Sequence, residues 1–326
     1  MIELPLSKYN GDYIGSNSWL LKEGHGAKIF DRFVLFSLRL IYLGVRVLLR
    51  IILGKERRDR VYKEKDISFK DFLYRSLKLL GIDKSIMLKF DVPTYGYKVY
   101  CPINKEDFAI MSRHEDEIID HFNTKQGDIV VDVGAHMGKY TIIASKRVGA
   151  NGKVIAIEAH PGNYEMLNRN IKLNGLTNVT TLNYAVYSKE SKIKLFLPDE
   201  ESGYTMHHSV MFNYLSSKYP LQGKDNEKFI EVNANTLDNL LQKNGILQVN
   251  WIKIDVEGAE FEVLKGSANI LSISKDISLL IEVHNPSDID HYKQIIDFLK
   301  PYNFKIEFEK IYRSGERHMV ARKISS

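Results

Sequence analysis

The chain has 326 residues, 44% of them hydrophobic and 11% aromatic. That composition excludes a disordered polymer and suits one large domain with an extension, or two small domains. The net charge is +5, but residues 1–65 hold 13 basic and 7 acidic side chains, net +6, against 33 and 34, net −1, in residues 66–326. The near-neutral body offers no electrostatic footprint for nucleic acid. A single cysteine, Cys101, excludes an internal disulfide framework and a cysteine-based zinc site; it fits a reducing, cytoplasmic setting, and equally a bacterial or archaeal surface protein without disulfides.

Residues 1–26 are rich in Gly, Ser and Asn without periodicity and read as a loose lead-in. Residues 33–53, FVLFSLRLIYLGVRVLLRIIL, then give about six helical turns whose only charges are Arg39, Arg46 and Arg50, with Arg32 just before. At 100° per residue these four arginines fall within about 40° of one another, a narrow cationic stripe on an apolar cylinder. Lys55, Arg57, Arg58, Arg60, Lys63 and Lys65 follow. The length also suits a transmembrane span, but each central arginine costs roughly 2.5–3.5 kcal/mol to insert. A helix packed on protein is the remaining reading. The stripe favours a helix lying in the membrane interface with its arginines on phosphates, so residues 28–65 are expected to touch a membrane surface. A secretory signal does not fit, because the apolar run starts too far in and lacks a small-residue cleavage site.

Residues 66–126 read as a connector: a short amphipathic helix over 71–81, two strands within 86–102 around a turn, and a short helix near 113–123. From residue 127 the pattern becomes regular. IVVDVG (129–134) is a buried strand, 138–149 a helix closed by glycine, KVIAIEA (153–159) a strand, 161–175 a helix opened by Pro161, and VTTLNYAV (179–186) a third strand. This β-α-β-α-β run signals an open parallel sheet with helices on both faces. Strands follow at 192–198 and 228–236, then a helix over 236–244 capped by Thr236, a buried strand at 249–256, a helix at 259–271, a strand at 277–284 and a helix near 287–300. Residues 304–311 and 317–324 close as an antiparallel pair around Ser314-Gly315.

The first strand runs into Asp132-Val-Gly134-Ala-His136-Met-Gly138. Its G-x-x-x-G spacing is not the G-x-G-x-x-G of dinucleotide folds, but glycines there let the backbone approach a ligand. The helix that follows offers N–H groups to an anion. Glu158 ends the second strand, where a carboxylate accepts both hydroxyls of a ribose. Loop and acid together indicate a nucleoside-bearing cofactor. S-adenosylmethionine fits better than NAD, since it presents an ammonium and a carboxylate, and Asp132 suits an ammonium or a water held near the loop.

VVDVGAHMGKYT, VIAIEAHP, NTLDNLL and above all WIKIDVEGAEFEVLKGS followed by LLIEVH resemble the FkbM-type S-adenosylmethionine-dependent methyltransferases, over roughly residues 127–284. The family has Asn where this chain has His136. The resemblance implies a class I, Rossmann-like α/β fold with a seven-stranded, mostly parallel sheet and an antiparallel last strand, here with an N-terminal helical extension. It implies cofactor contacts at Asp132, Gly134, Ala135, His136 and Gly138, ribose contacts from Glu158, and Asn183, Tyr184 and Ala185 near the adenine. Asp255 would face the methyl-transfer centre. The family methylates hydroxyl oxygens, often on sugars.

The expected organisation is a basic amphipathic extension (1–65), a connector (66–126) and the methyltransferase domain (127–326). The expected activity is transfer of methyl from S-adenosylmethionine to a hydroxyl of a small molecule, glycan or lipid-linked acceptor, by an enzyme peripheral to a membrane. Candidate bases are Asp255, Glu257, His207, His208 and His284, with Asp255, His207 and His208 assigned as catalytic. Helix capping is the competing role for Asp255. Glu257 and Glu260 are expected to pair with Lys253 or a helix N-terminus, and Glu282 to be a hydrogen-bonded acid near the site. The histidine pair lies in a segment expected to form a lid over the acceptor. No spacing specifies a metal site, and none is assigned. An NAD-dependent oxidoreductase is disfavoured by the missing third glycine, and a membrane-bound binding module without catalysis by the intact Asp132, Glu158 and Asp255. The absence of an Asn-Pro-Pro-Tyr-like run disfavours methylation of nucleic acid bases. Nothing in the sequence sets the oligomeric state.

Overall fold

The computed structural model describes residues 20–21, 87–92, 95–102, 116–197, 209–210, 229–284, 290–312 and 316–324. The arginine stripe, the basic cluster, the helix expected over 71–81, and His207 and His208 lie outside these residues. Among the described residues, no helix is long and apolar enough to cross a membrane. The chain divides into two compact units, Met1–His114 and Glu115–Ser326.

In the first unit β1 (Leu20–Leu21), within the lead-in read as loose, pairs antiparallel with β2 (Met87–Val92). Strand β2 pairs antiparallel with β3 (Tyr97–Pro102). Tyr97, Val99 and Cys101 are buried and Lys98 is exposed, the period of two that a strand with one covered face requires.

The second unit opens with a single helical turn, α1 (Asp116–Ile119), and then the expected alternation: β4 (Ile129–Val133), α2 (Lys139–Val148), β5 (Lys153–Ile157), α3 (Pro161–Leu173) and β6 (Val179–Leu182). The third strand ends sooner than its apolar run suggests. The Asn183 amide donates to the carbonyls of Glu158 and Ala159, at 2.7 and 3.1 Å, and turns the chain away. Ala185–Val186 then forms β7 in a second, three-stranded sheet with β8 (Ser191–Phe196) and β9 (Phe229–Asn235), in the order β7-β9-β8.

Helix α4 (Leu237–Lys243) starts where Thr236 accepts the Asn239 N–H at 3.1 Å. After β10 (Trp251–Ile254), the helix expected over 259–271 is two helices, α5 (Glu260–Lys265) and α6 (Ala268–Ile273). Gly266 and Ser267 separate them, and the Gly266 position demands glycine, since a Cβ there would lie 2.2 Å from the Tyr187 carbonyl oxygen. The chain continues through β11 (Ser278–Val283), α7 (His291–Leu299), which the Asp290 side chain caps, β12 (Phe304–Ile311) and β13 (Arg317–Lys323).

The main sheet has seven strands in the order β12-β13-β11-β10-β4-β5-β6. The closing pair is antiparallel as expected, and β13 sits between β11 and β12, antiparallel to both. Alternation along the strands divides the helices between two faces. Val131, Val133, Ile252 and Ile254 face Leu240, Val263, Leu271 and Ile295 from α4, α5, α6 and α7. On the other face Leu167 and Ile171 of α3 cover Ala156, and Phe122 meets Tyr140 of α2 and Trp251 edge-on. Each fully buried Leu or Ile contributes roughly 1.5–3 kcal/mol, so this two-sided core holds the strand ends rigidly. The chain passes from β4 to β5 on one side and reaches β10 on the other. The crevice outside the carboxyl ends of β4 and β10 is therefore a topological switch point, where open α/β sheets bind ligands.

Candidate active site

The loop leaving β4 is pressed against the loop leaving β10. Gly134 has φ 77°, and a Cβ there would lie 1.8 Å from the Asp255 carbonyl oxygen. The Gly134 and Ala135 N–H groups both donate to the Ile157 carbonyl at 3.0 Å, tying the loop to β5. His136 is left-handed at φ 52° and donates its N–H to Glu158 Oε2 at 2.8 Å. Gly138, at φ 98°, opens α2, and a Cβ there would lie 2.8 Å from Leu167 Cδ1.

Three carboxylates end three neighbouring strands around this loop. Asp132, 1% exposed, accepts the Thr141 hydroxyl on Oδ2 at 2.6 Å. Strand register sets it opposite Lys253. The buried Lys253 ammonium lies 3.8 Å from Asp132 Oδ1, donates to Asp255 Oδ2 at 3.0 Å and reaches the Gly134 carbonyl at 3.3 Å. It also sits 5.1 Å from the centre of the Tyr140 ring. Burial raises the Asp132 pKa and Lys253 opposes the rise. One ammonium thus fixes both acids and the loop between them. Glu158 is buried, its carboxylate accepting the His136 N–H on one oxygen and the His160 N–H on the other, both at 2.8 Å. Desolvation pushes its pKa up to about 7, against the pull of those two N–H groups.

The cap role considered for Asp255 does not hold. Helix α5 begins at Glu260, its N-cap position is Ala259, and no side chain caps it; Asp255 lies too far upstream and is held by Lys253 instead. Nor do Glu257 and Glu260 take Lys253 as their partner in the ion pairs the fold forms. They converge on His284, just past the end of β11. His284 Nδ1 is 2.8 Å from Glu260 Oε1, which also accepts the Gly258 N–H at 2.9 Å. His284 Nε2 lies 3.7 Å from Glu257 Oε2 and 3.6 Å from Glu282 Oε1. Burial disfavours a proton on His284, but Glu257, Glu260 and Glu282 outweigh it and push its pKa up to about 10. Glu282 is the acid expected near the site, and register sets it opposite His318, whose Nε2 is 3.2 Å from Glu282 Oε2. His291 Nδ1 meets the His284 carbonyl at 2.7 Å.

The fold thus gathers Asp132, Gly134, Ala135, His136, Gly138, Glu158 and Asp255 along one crevice, with the Asn183 amide holding the backbone beside Glu158. Tyr184 packs on the main core and Ala185 is buried within the small sheet. Ser209 escaped the sequence reading: its backbone pairs with Phe196, and its hydroxyl donates to the Glu257 carbonyl at 2.5 Å. These bonds tie β8, through Ser209, to the loop that follows β10.

The strand order, with one antiparallel strand set inside the sheet, defines a class I methyltransferase domain, the S-adenosylmethionine-dependent architecture. Residues 132–306 match the methyltransferase FkbM domain, and the chain belongs to that family. It is 28% identical over 168 residues to the methyltransferase sdnD of Sordaria araneosa, a match covering 46% of this chain and 64% of that protein. It is 26% identical over 192 residues to the hexuronic acid methyltransferase AglP of Haloferax volcanii, covering 59% of this chain and 70% of AglP. The chain spans less than two thirds of sdnD, and 57% of a second fungal relative, methyltransferase 1 of Beauveria bassiana. The crystal structure of methyltransferase FkbM from Methylobacillus flagellatus KT superimposes with a TM-score of 0.40 at 16% identity, over 60% of this chain and 43% of that one.

Proposed function

We propose that this chain is an O-methyltransferase that moves the methyl group of S-adenosylmethionine to a hydroxyl of a sugar, glycan or glycolipid at a membrane surface. The observation that carries this reading is the set of three carboxylates, Asp132, Glu158 and Asp255, at the ends of adjacent strands around the Gly134–Gly138 loop. Each Glu158 oxygen takes one backbone N–H, and a carboxylate has about four acceptor sites in all. Lone pairs therefore remain for the two ribose hydroxyls. Asp132 receives the cofactor's ammonium end across the Gly134 turn, while Ala135, His136 and Gly138 border the nucleoside. Asn183, Tyr184 and Ala185 mark the adenine end.

The chemistry asks mainly for alignment. The sulfonium already activates its methyl group, so the enzyme must set acceptor oxygen, carbon and sulfur in line. The oxygen forms its bond to the methyl carbon as the carbon–sulfur bond breaks, and the electron pair returns to sulfur to leave neutral S-adenosylhomocysteine. Asp255, with Oδ2 held by Lys253, takes the hydroxyl proton, with His207 and His208 as the further candidates. A sugar acceptor is supported by the likeness to a relative named for hexuronic acid methylation. The membrane setting is supported by the confinement of the positive charge to residues 1–65.

One complementation experiment tests both parts. Cells lacking the protein should lose a glycan or glycolipid species heavier than its precursor by about 14 Da, one methylene. Restoring the full chain should return that species. A chain starting after residue 65 should leave the membrane fraction. An unchanged glycan and lipid mass profile would remove the acceptor assignment, and unchanged fractionation the anchoring role.

A further inference from the structure

We infer that Asp255, Glu257 and His284 form a divalent-cation site beside the methyl-transfer centre. This rests on the methyltransferase reading and deepens it. The three residues come from the end of β10 and the end of β11, and one ligand atom from each lies within 4.8 Å of the others. A cation with oxygen and nitrogen ligands at about 2.1 Å holds neighbouring ligand atoms roughly 3–4 Å apart. The Glu257 Oε2 to His284 Nε2 distance of 3.7 Å is in that range, longer than a hydrogen bond.

A second observation, outside the three ligands, points to a ligand on Nε2. His284 is 2% exposed, and its other ring nitrogen faces Glu260, a carboxylate with no exposure that the Gly258 N–H anchors at 2.9 Å. A buried carboxylate on the remote nitrogen of a histidine sets the ring orientation, as metal-binding histidines require, and here it turns Nε2 toward Glu257 and Glu282, where a bound cation would take the place of the Nε2 proton. His291 braces this arrangement from α7, with Nδ1 3.4 Å from Glu260 Oε2. Charge points the same way. Glu257, Glu260 and Glu282 surround one imidazole, while Lys253 is shared between Asp132 and Asp255. The carboxylate-rich donor set with one imidazole suits Mg²⁺ or Mn²⁺. The backbone is shaped to present it: Glu257 is held left-handed at φ 52° and its carbonyl takes the Ser209 hydroxyl. Held by these three residues, such a cation would supply Lewis-acid chemistry, lowering the pKa of an acceptor hydroxyl so that only a weak base such as Asp255 would be needed.

The test is a titration of the EDTA-stripped full chain with Mn²⁺, followed by electron paramagnetic resonance of the free ion, in the presence of saturating S-adenosylhomocysteine. Calorimetry of S-adenosylhomocysteine alone is run in parallel. The expected result is one bound Mn²⁺ per chain, at least about tenfold weaker in Glu257→Gln. Asp255→Asn, at a side chain 28% exposed, gives a second variant where Glu257→Gln does not fold. Full S-adenosylhomocysteine binding without bound Mn²⁺ would overturn the cation site while leaving the methyltransferase reading intact. So would Mn²⁺ affinity unchanged in both variants. Failure to bind S-adenosylhomocysteine would instead overturn the reading on which the site rests.

Discussion

Replacing Gly134 with Ala should lower the unfolding free energy by about 3 kcal/mol and abolish cofactor binding. Two effects add. A non-glycine residue at φ 77° costs roughly 1–2 kcal/mol. The new methyl would also stand 1.8 Å from the Asp255 carbonyl oxygen, and forcing such contacts apart costs typically about 1–3 kcal/mol. Neither backbone can yield freely, because Asp255 N–H donates to the Val133 carbonyl at 3.1 Å and Gly134 N–H to Ile157. Gly175 supplies the control. It has φ 63° with nothing within 4 Å of an added Cβ, so Gly175→Ala should cost about 1 kcal/mol and leave S-adenosylhomocysteine affinity unchanged. Urea denaturation and calorimetry of the two variants check this. Equal losses of stability would show that the approach of β4 to β10 is not what demands glycine.

The second large effect concerns pH. Glu158 has its pKa raised from 4.5 to about 7 by burial, so the folded chain holds this proton more tightly than the unfolded chain. The associated stability is fully present below about pH 4.5 and is lost as pH rises to about 7, a change on the order of 3 kcal/mol. Cofactor binding runs the opposite way. If the ionised carboxylate accepts the ribose hydroxyls, about one chain in ten is competent at pH 6 and about nine in ten at pH 8. S-adenosylhomocysteine should therefore bind roughly tenfold more weakly at pH 6 than at pH 8. Glu158→Gln should bind weakly at both, with no slope. A wild-type slope retained in the variant would assign the titration to another group.

Much of this architecture was legible because the chain punctuates itself. Gly149, Pro161 and Gly175 mark helix ends that fall within a residue or two of the observed ones, and the apolar runs of β4, β5 and β10 have the near-continuous burial of parallel strands. Where a boundary depends on a distant partner, local pattern fails. The break between β6 and β7 follows from the Asn183 amide bonding to the carbonyls just past β5, and the glycine between α5 and α6 answers to the distant Tyr187 carbonyl. The loop and its acids could be read because they occupy fixed places at strand ends. The cluster around His284 could not. Glu257, Glu260, Glu282, His291 and His318 come from separate elements, and only the pairing of β11 with β13 and the docking of α5 and α7 bring the three acids to one imidazole, with His318 on Glu282 and His291 on Glu260. The sequence offers Lys253 as a partner for Glu257 or Glu260; its place opposite Asp132 needs the register of β10 on β4.

The central claim is that the crevice at the ends of β4, β5 and β10 takes S-adenosylmethionine. Calorimetric titration of the full chain with S-adenosylhomocysteine, and separately with NAD, tests it most directly. The expected result is saturable binding of S-adenosylhomocysteine, with Kd on the order of micromolar (about −8 kcal/mol), and no heat from NAD at about a hundredfold higher concentration. Saturable binding of NAD with none of S-adenosylhomocysteine would contradict the account.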